Sequence, residues 1–504
     1  MKQLVFTFAL LFVGLSHAQN IFDGLRYSQD RTLGSARFAA MGGTFGALGG
    51  ETAAIGSNPA ASSVFIRNRS DITLSVYGRE NSSTYFGSQA TGDNSNFTIG
   101  QAGAVFVFGN ANTAAVWNKF TVGLNYNVTN GFDDTVFING NSNNTIASFF
   151  LEQAQGVPLN LLETQGGESI GDLYDFLGGS LGVFAQNALL GFQGFIINPV
   201  SNSTNNVQYT SAIAGNRFSQ DYVLLQKGYN GKYTFNFAAQ YKNNFNVGFN
   251  LNSHVIDYRR STLLTERNNS PNSTVNYVFF ENNLNTLGSG FSAQIGAIAK
   301  LPGALRIGLT YDTPVWYTIA EETSQYLETD RTENGQTITT VVNPNVVNVF
   351  ADYRLRTPAR LGASAAYVFG AHGLLSFDYS YKDYSGITFG PGNDASFSAL
   401  NVAIENNLKP VSTYSIGGEY RAGNFSLRAG LRHEESPFAD GATVGGLTGY
   451  SAGLGYNFGN YSFDASYSHA EQDRNEQLYT IGLTAPARVA ARYDSVLFTL
   501  GISL

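Results

Sequence analysis

The sequence predicts an all-β fold, an antiparallel transmembrane β-barrel of about fourteen strands with an N-terminal plug (hatch) inside its lumen. The first observation behind this prediction is composition. Charged residues make up 13% of the chain, aromatic residues also reach 13%, and 56 of the 504 residues are glycine. Soluble domains carry about a quarter charged residues, and helical membrane proteins contain apolar runs of about 20 residues. The composition therefore fits neither class.

The second observation is a period-two alternation of apolar with small polar residues, which is typical of strands that face lipid on one side. Over 245–252, Phe, Val, Phe and Leu alternate with Asn, Gly, Asn and Asn. The same pattern recurs over 450–458 and over 495–504. A soluble β-sandwich also alternates, but the loop lengths disfavour it.

Loop lengths are the third observation. Strands are predicted at 71–86, 96–108, 115–128, 221–241, 245–266, 285–300, 304–328, 345–369, 373–384, 411–422, 425–435, 447–459, 461–473 and 491–504. Every second connection is then short, as periplasmic turns are, and the others are long, as outer loops are. An even strand count leaves both barrel ends in the periplasm, where a plug from the N-terminus enters.

The eighth predicted strand contains Pro358, and proline usually interrupts a central strand. Dividing the segment at this residue would make the strand count odd. We therefore predict one strand that is kinked by a bulge at Pro358.

Residues 1–18 are predicted to be a cleaved signal peptide, with Lys2, an apolar core and Ser16-His17-Ala18 as the cleavage site. The plug then covers 19–66, and the barrel covers 67–504 with a long outer loop at 129–220. After loss of Lys2, 28 basic residues face 37 acidic ones, which disfavours a nucleic-acid partner. The chain has no cysteine, so disulfides and thiolate metal sites are excluded.

The small-polar faces of the strands include ten charged residues, which are expected inside the lumen because a charge at the bilayer midplane costs about 2–4 kcal/mol. We expect them to pair with one another and with the plug, while a role in selectivity is the alternative. They are Lys119, Arg306, Asp312, Arg360, Asp378, Lys382, Glu419, Arg428, Arg432 and Asp464.

The plug region differs from the strands because it is rich in small residues that let backbone pack closely. Its glycines are Gly42, Gly43, Gly46, Gly49 and Gly50. An Asn58-Pro59-Ala60 corner follows, and an Asn-Pro pair favours a turn.

These residues resemble the hatch of the FadL/TodX family of outer-membrane hydrophobic-compound transporters, in its Bacteroidetes-like branch. Asn58, Pro59 and Ala60 match the family's Asn-Pro-Ala motif. Residues 355–379 are similar to a late barrel hairpin of the family, and the predicted strand number is also the family's.

The resemblance implies that outer loops capture a hydrophobic ligand, which enters a pocket against the hatch and leaves through a gap in the wall beside a kinked strand. It implies a gate at the mature N-terminus, at Gln19, Ile21 and Phe22. We place the wall gap near Gly123 on the third strand. Outer-membrane lipid, lipopolysaccharide and the barrel-assembly machinery are the other expected partners.

The long outer loop itself favours apolar ligands, because it contains short helical patches with apolar faces. These faces either bury one another as a compact cap or share a groove for a ligand, and the two interpretations are compatible. The candidate capture residues are Phe149, Phe150, Leu173, Phe176, Leu177, Phe184 and Phe192.

Catalytic motifs are missing: the sequence has no HExxH, nucleophile elbow or phosphate loop. His469 with a nearby serine is the only candidate for a catalytic pair. We expect no enzyme activity, cofactor or metal. The expected function is passive uptake of hydrophobic or amphipathic molecules such as long-chain fatty acids. The alternatives are a structural or secretion-associated barrel that binds a partner protein, and a porin with an open lumen.

Overall fold

The computed structural model describes residues 19–112 and 115–504, so the predicted signal peptide lies outside the described residues. The chain forms fourteen antiparallel barrel strands. Uninterrupted strands are β1 (Arg69–Tyr85), β2 (Ser88–Gly109), β4 (Phe218–Tyr241), β5 (Phe245–Arg267), β6 (Val275–Lys300), β10 (Pro410–Ala422), β11 (Phe425–Glu434), β12 (Leu447–Asn457), β13 (Tyr461–Gln477) and β14 (Pro486–Ser503). Interrupted strands are β3 (Trp117–Gly131 and Asp134–Ser142), β7 (Leu305–Asp312 and Trp316–Glu333), β8 (Gln336–Val342, Asn348–Val349, Tyr353–Arg356 and Arg360–Val368) and β9 (Gly373–Asp383 and Thr388–Gly390).

The sheet closes on itself between its first and last strands. β1 pairs with β14 in antiparallel register from Arg69 opposite Ser503 to Thr84 opposite Arg488. Closure removes the free edges that an open sheet would expose, which a membrane requires because lipid cannot satisfy unpaired backbone groups. The predicted fourteen-stranded barrel is confirmed.

Pro358 interrupts one strand rather than separating two, as predicted, but the predicted bulge is missing, because β8 keeps the same register with β7 on both sides of the break. β8 is interrupted at 357–359 and its neighbour β7 at 313–315, and the Thr357 amide donates to the Val315 carbonyl at 3.0 Å. β9 is interrupted next to them by the turn Tyr384–Gly386. Three adjacent strands are therefore interrupted at the same level, and the strand count stays at fourteen.

β3 extends beyond its predicted end at residue 128. Its second segment, Asp134–Ser142, alternates buried and exposed residues and pairs with β4. The long outer loop accordingly covers 143–217, and the predicted loop of 129–220 is too long at both ends. The alternation simply continues through residues that the sequence prediction assigned to the loop.

The outer wall carries a belt of exposed apolar side chains, as lipid-facing strands require. In this belt Phe235 and Phe237 of β4 are 53% and 52% exposed, and Ile295 of β6 is 55% exposed. Aromatic residues gather near the short turns; they include Phe108, Phe120, Tyr420, Phe425, Phe458 and Tyr461.

Helices lie in the hatch and on the outer face. The hatch contains α1 (Ile21–Ser28), α2 (Ala36–Ala40) and 3-10 turns at Ala53–Gly56 and Pro59–Val64. The outer loops contain α3 (Ala147–Ala154), α4 (Ile170–Ser180), α5 (Val183–Gln193), α6 (Ala395–Asn407) and a small hairpin of Ile197–Pro199 with Tyr209–Ser211. No helix in 19–112 or 115–504 has the length and apolar character needed to span a membrane.

Candidate ligand-binding site

The Asn58-Pro59-Ala60 corner fixes the hatch to the barrel. The Asn58 side-chain amide donates to the carbonyls of Gly46 at 2.7 Å and of Ala297 in β6 at 3.1 Å. Its oxygen accepts from the Ala60 amide at 3.0 Å and caps the 3-10 turn that begins at Pro59. The corner is completely buried, so each of these bonds satisfies a group that water cannot reach.

Lumen-facing asparagines of β4 and β5, the strands next to β6, also hold the hatch. Asn236 in β4 donates to the Pro59 carbonyl at 2.8 Å, and Asn250 in β5 donates to the Ile55 carbonyl at 2.8 Å. The alternation of apolar residues with asparagine that predicted these strands thus also supplies the donors that anchor the plug.

Wall glycines allow the hatch backbone to touch the strands. A Cβ atom at Gly248 would collide with the Pro59 carbonyl group, and one at Gly308 would collide with the Gly46 carbonyl. The same holds where other hatch residues meet the wall, at Gly296, Gly417, Gly430 and Gly453. The backbone of the hatch occupies space that side chains fill elsewhere in the barrel.

The five hatch glycines are all placed in this packed region. Gly42, Gly43, Gly49 and Gly50 have φ between +61° and +79°, a conformation that other residues adopt only with strain. Gly46 has an ordinary φ, and its amide donates to Asp378 in β9 at 2.9 Å. A side chain at Gly46 would collide with Ser364.

The predicted pairing of lumen charges is confirmed. Glu419 in β10 binds Arg37 of the hatch at 2.8 Å and Arg428 of β11 at 2.6 Å, and Arg428 also binds Asp464 at 2.6 Å. The remaining pairs join the wall to itself or to the hatch: Arg360 with Asp312, Lys382 with Asp30, Arg432 with Glu434, Lys119 with the Phe65 carbonyl and Arg306 with the Leu48 carbonyl.

Residues 19–34, here called the leader, lie above the rest of the hatch. α1 begins with a capping box in which Asn20 and Asp23 exchange hydrogen bonds, and Gln19 donates to Glu321 of β7. The apolar face of α1 packs in a cluster with aromatic residues of the wall and an outer loop, namely Tyr258, Tyr317, Tyr353, Phe389 and Phe438. Gly24 permits this packing, because a Cβ there would lie 2.9 Å from Ile387.

A vestibule of about 1090 Å³ lies between the leader and the outer loops. The predicted gate residues Ile21 and Phe22 line it from below, and Phe149 and Phe184 line it from above. The Phe22 ring lies 5.6 Å from the Phe438 ring, centroid to centroid. The floor of this chamber is therefore helix α1.

A second cavity of about 750 Å³ lies beside the leader, and it reaches the lipid-facing surface of β2 and β3. Its lining combines Leu33 of the leader with aromatic and aliphatic residues of the wall, such as Tyr77, Ile99, Tyr126, Val128 and Tyr233. This lateral cavity is a chamber of the size that small-molecule sites use.

The lateral cavity reaches the outside through an interruption in the wall. Among the described residues, the β2–β3 ladder ends at Gln101 opposite Asn127, and β3 then bulges at Thr129 and breaks before Asp134. Beyond this point the wall is held by side chains, since Asn96 in β2 donates to Asp133 at 2.7 Å. We call the opening between 96–100 and 128–133 the window.

Gly123 is not at this window. It pairs with Val105 on one side and Asn236 on the other, so the wall is continuous there. The interruption lies on the predicted strand but begins five residues later, at Val128. Gly123 instead allows the hatch to approach, because a Cβ atom there would lie 3.1 Å from Ile55.

The candidate capture residues of the outer loop differ in how deeply they are buried. Phe150 and Leu177 are fully buried, and Phe149 and Leu173 are nearly so, within one apolar core under the cap. Phe184 and Phe192 pack against that core, whereas Phe176 is 55% exposed. The helices thus form a compact cap, and Phe149 and Phe184 also face the vestibule. The ligand groove stays a prediction.

His469 lies on the outward face of β13, and its ring nitrogens face carboxylates. Its Nδ1 lies 2.9 Å from Asp494, and its Nε2 lies 3.4 Å from Glu471. Arg31 and Tyr493, which the sequence did not indicate, meet in the lumen between the cavities. No local motif marks either residue, and only the close approach of the leader to β14 reveals them.

Residues 192–502 match the family described as outer membrane protein transport protein (OMPP1/FadL/TodX). The chain belongs to this family. A search of curated proteins finds no match. Membership of the OMPP1/FadL/TodX family and the closed barrel make the chain an outer-membrane transport protein.

Solved structures of this family share the fold. A Pseudomonas aeruginosa FadL homologue is 12% identical, with 94% of this chain and 99% of that chain covered and a TM-score of 0.52. The Pseudomonas putida toluene transporter TodX is 12% identical, with 95% and 99% covered and a TM-score of 0.51. A deltaS2 mutant of the TodX monoaromatic hydrocarbon channel is 13% identical, with 93% and 98% covered and a TM-score of 0.53.

Proposed function

We propose that the protein takes up hydrophobic or amphipathic small molecules, such as long-chain fatty acids, by passive diffusion through the window in its wall. The observation that carries this proposal is the lateral cavity, a chamber with a largely apolar wall that opens at the lipid-facing surface. Hatch backbone packed against wall glycines and asparagines closes the lumen beneath it. Lateral exit spares an apolar molecule from crossing the aqueous periplasmic end of the barrel.

The route begins in the vestibule, whose aromatic lining and floor suit an apolar guest. From there a ligand moves past the leader at Gln29 and Arg31, which line both the vestibule and the lateral cavity. It then leaves between β2 and β3. The ligand moves from the lining of the vestibule to that of the lateral cavity and finally into lipid. Because each of these surroundings is apolar, the movement needs no energy source.

The gate in this proposal is the leader. Ile21 and Phe22 line the vestibule, and Gln19 is tied to the wall by its hydrogen bond to Glu321. A ligand that displaces Phe22 from Phe438 loosens α1 and widens the path towards Gln29. The Asn58-Pro59-Ala60 corner stays fixed during this movement.

The alternatives have less support. A porin needs an open lumen. Here the hatch occupies the lumen and is held there by buried hydrogen bonds to the wall. A barrel that only holds a partner protein has no need of a lateral opening. The proposal involves binding and diffusion without chemistry.

Delivery to the membrane follows the usual course for such barrels in this proposal. The signal peptide 1–18 is removed, the barrel-assembly machinery inserts the barrel, and lipopolysaccharide with other outer-membrane lipid surrounds it. Loss of the signal peptide makes Gln19 the first residue, which suits its place at the gate.

Obstructing the window tests the proposal. Gly131 forms its rim, and a Cβ atom there meets nothing within 4 Å, so Gly131→Trp adds bulk without disturbing the fold. We expect uptake of a labelled fatty acid into proteoliposomes to fall at least about tenfold. Gly109→Trp is the matched control, because a Cβ at Gly109 of β2 is equally free and lies far from the window. Equal uptake by Gly131→Trp and Gly109→Trp would refute the proposal.

A further inference from the structure

Arg31 of the leader stands where three cavities meet. It lines the vestibule, the lateral cavity and a third cavity of about 160 Å³ that lies between the hatch and strands β7 to β10. This third cavity is polar, with Asp312, Arg360 and Lys382 in its wall. A molecule that moves from the vestibule to the window therefore passes the Arg31 side chain.

The backbone around Arg31 is held firmly. Its amide donates to the Thr129 carbonyl at 2.8 Å, at the bulge where β3 has lost its partner β2. The preceding residue, Asp30, is bound by Lys382 of β9 at 3.2 Å, and Lys382 also donates to the Ser28 carbonyl at 2.8 Å. These contacts fix the position from which the Arg31 side chain extends.

The guanidinium group of Arg31 has weaker partners than the backbone of the same residue. It lies 4.0 Å above the Tyr493 ring, and its only side-chain hydrogen bond among the described residues is a long one, 3.5 Å, to Gln472. Its Nε atom is buried without a hydrogen-bond partner in the described structure. An unsatisfied donor of a charged group is costly in a lumen, and a ligand can relieve that cost.

Two neighbouring arginines, Arg79 and Arg474, do have acidic partners. Arg79 binds Asp134 at 2.9 Å, and Arg474 binds Asp134 at 3.2 Å and Glu476 at 3.4 Å. Two guanidinium groups are thus matched by two carboxylates. The positive charge of Arg31 is left without an acidic partner among the described residues, beside a cavity with an apolar wall.

We propose that Arg31 is a specificity-determining residue that binds the anionic head group of an amphipathic ligand, such as a carboxylate, at the junction of the cavities. This inference rests on the proposed uptake function and adds the charge of the preferred ligand. The head group binds Arg31 beside the polar cavity, while the apolar tail occupies the lateral cavity and enters lipid through the window. A carboxylate suits a guanidinium because two parallel hydrogen bonds can form.

The experiment compares a long-chain fatty acid with the fatty alcohol of the same chain length, each taken up into proteoliposomes from the same pH. In Arg31→Gln we expect uptake of the acid to fall about tenfold relative to the alcohol, because a charge-assisted hydrogen bond is lost. Arg31→Lys keeps the charge and is expected to retain most of the preference. Heat-modifiable migration on gels verifies that each variant is folded.

Arg259→Gln is the matched control, since Arg259 carries the same charge on an exposed part of β5 and its side chain is 67% exposed. An unchanged ratio of acid to alcohol in Arg31→Gln would overturn the head-group proposal. An equal loss of both ligands would also overturn it, because Arg31 would then support the hatch rather than bind a head group. Failure of the unsubstituted protein to take up either ligand would instead refute the proposed function.

Discussion

The core of the hatch, residues 35–66, and the leader, residues 19–34, meet the barrel in opposite ways. The core presses its backbone onto wall glycines and is tied by buried hydrogen bonds at Asn58, Pro59 and Ile55. The leader is bordered by three cavities, and it is joined to the described wall by the ion pair of Asp30 with Lys382, by hydrogen bonds such as that of Gln19 with Glu321, and by the apolar face of α1.

This difference indicates which part of a plug can move. Displacing the core would expose many buried polar groups at once, each at a cost of about 1–3 kcal/mol. Displacing the leader exposes fewer such groups, because three cavities border it and much of its contact with the wall is apolar. The core is therefore expected to stay fixed while the leader moves, although both lie within fewer than fifty residues. Substitutions can separate their roles.

The largest effect is expected at the charge network beneath the core. Glu419→Gln leaves Arg37, Arg421 and Arg428 without their shared carboxylate, and a buried charge that loses its partner costs about 3–5 kcal/mol. Urea unfolding of the refolded barrel measures the loss. Glu80→Gln, at an exposed residue, is expected to change stability by less than about 0.5 kcal/mol. Similar losses in both variants would show that the hatch is not anchored by this network.

Next in size is a substitution at a wall glycine. Gly248→Val places a side chain into the Pro59 backbone, and we expect a loss of about 3 kcal/mol, because backbone cannot move aside as a side chain can. The same urea titration applies. Gly109→Val adds the same atoms where a Cβ meets nothing. If the two variants were equally stable, the core would not be in close contact with the wall.

A smaller effect on stability but a clear effect on motion is expected in the leader. Lys382→Gln removes the ion pair to Asp30. Because the chain has no cysteine, a spin label on Phe22→Cys reports the leader alone. We expect a more mobile spectrum with global stability changed by less than about 1 kcal/mol. Lys227→Gln, an exposed lysine of β4, serves as the control.

Acid should release the same contact. Burial in the lumen would raise the pKa of Asp30, but Lys382, Lys232 and Arg360 outweigh this effect and lower the pKa to about 2. The pair therefore contributes fully above the ordinary aspartate pKa of 3.8 and is lost as the pH falls towards 2. Asp30→Asn should reproduce the mobile spectrum at neutral pH. A label that stays equally mobile throughout would contradict this assignment.

The smallest effect is expected on the outer cap. Phe176 is 55% exposed, so Phe176→Ala should leave both stability and fatty-acid uptake nearly unchanged, within about 0.5 kcal/mol in stability. Phe150→Ala removes a fully buried ring from the cap and should cost about 3–5 kcal/mol. A strong uptake defect in Phe176→Ala would restore the exposed ring as a capture residue.

The sequence predicted the strands well because lipid on one side and hatch on the other impose a strict period of two. It also predicted the buried Asn58 corner, whose residue types carry their own turn signal. The window was misplaced at Gly123, since a break in pairing at Val128 changes neither polarity nor periodicity. Arg31 and the cavities around it depend on how the leader lies against β3 and β14, which no local pattern encodes.

The seam between β1 and β14 also carries a contact with the plug. Thr499 of β14 bonds Thr73 of β1 at 2.8 Å, and its hydroxyl also accepts from the Ala36 amide of the hatch at 2.7 Å. One side chain thus joins both ends of the sheet to the plug. Closing the sheet and seating the plug therefore share one hydroxyl group, and its removal would weaken both contacts.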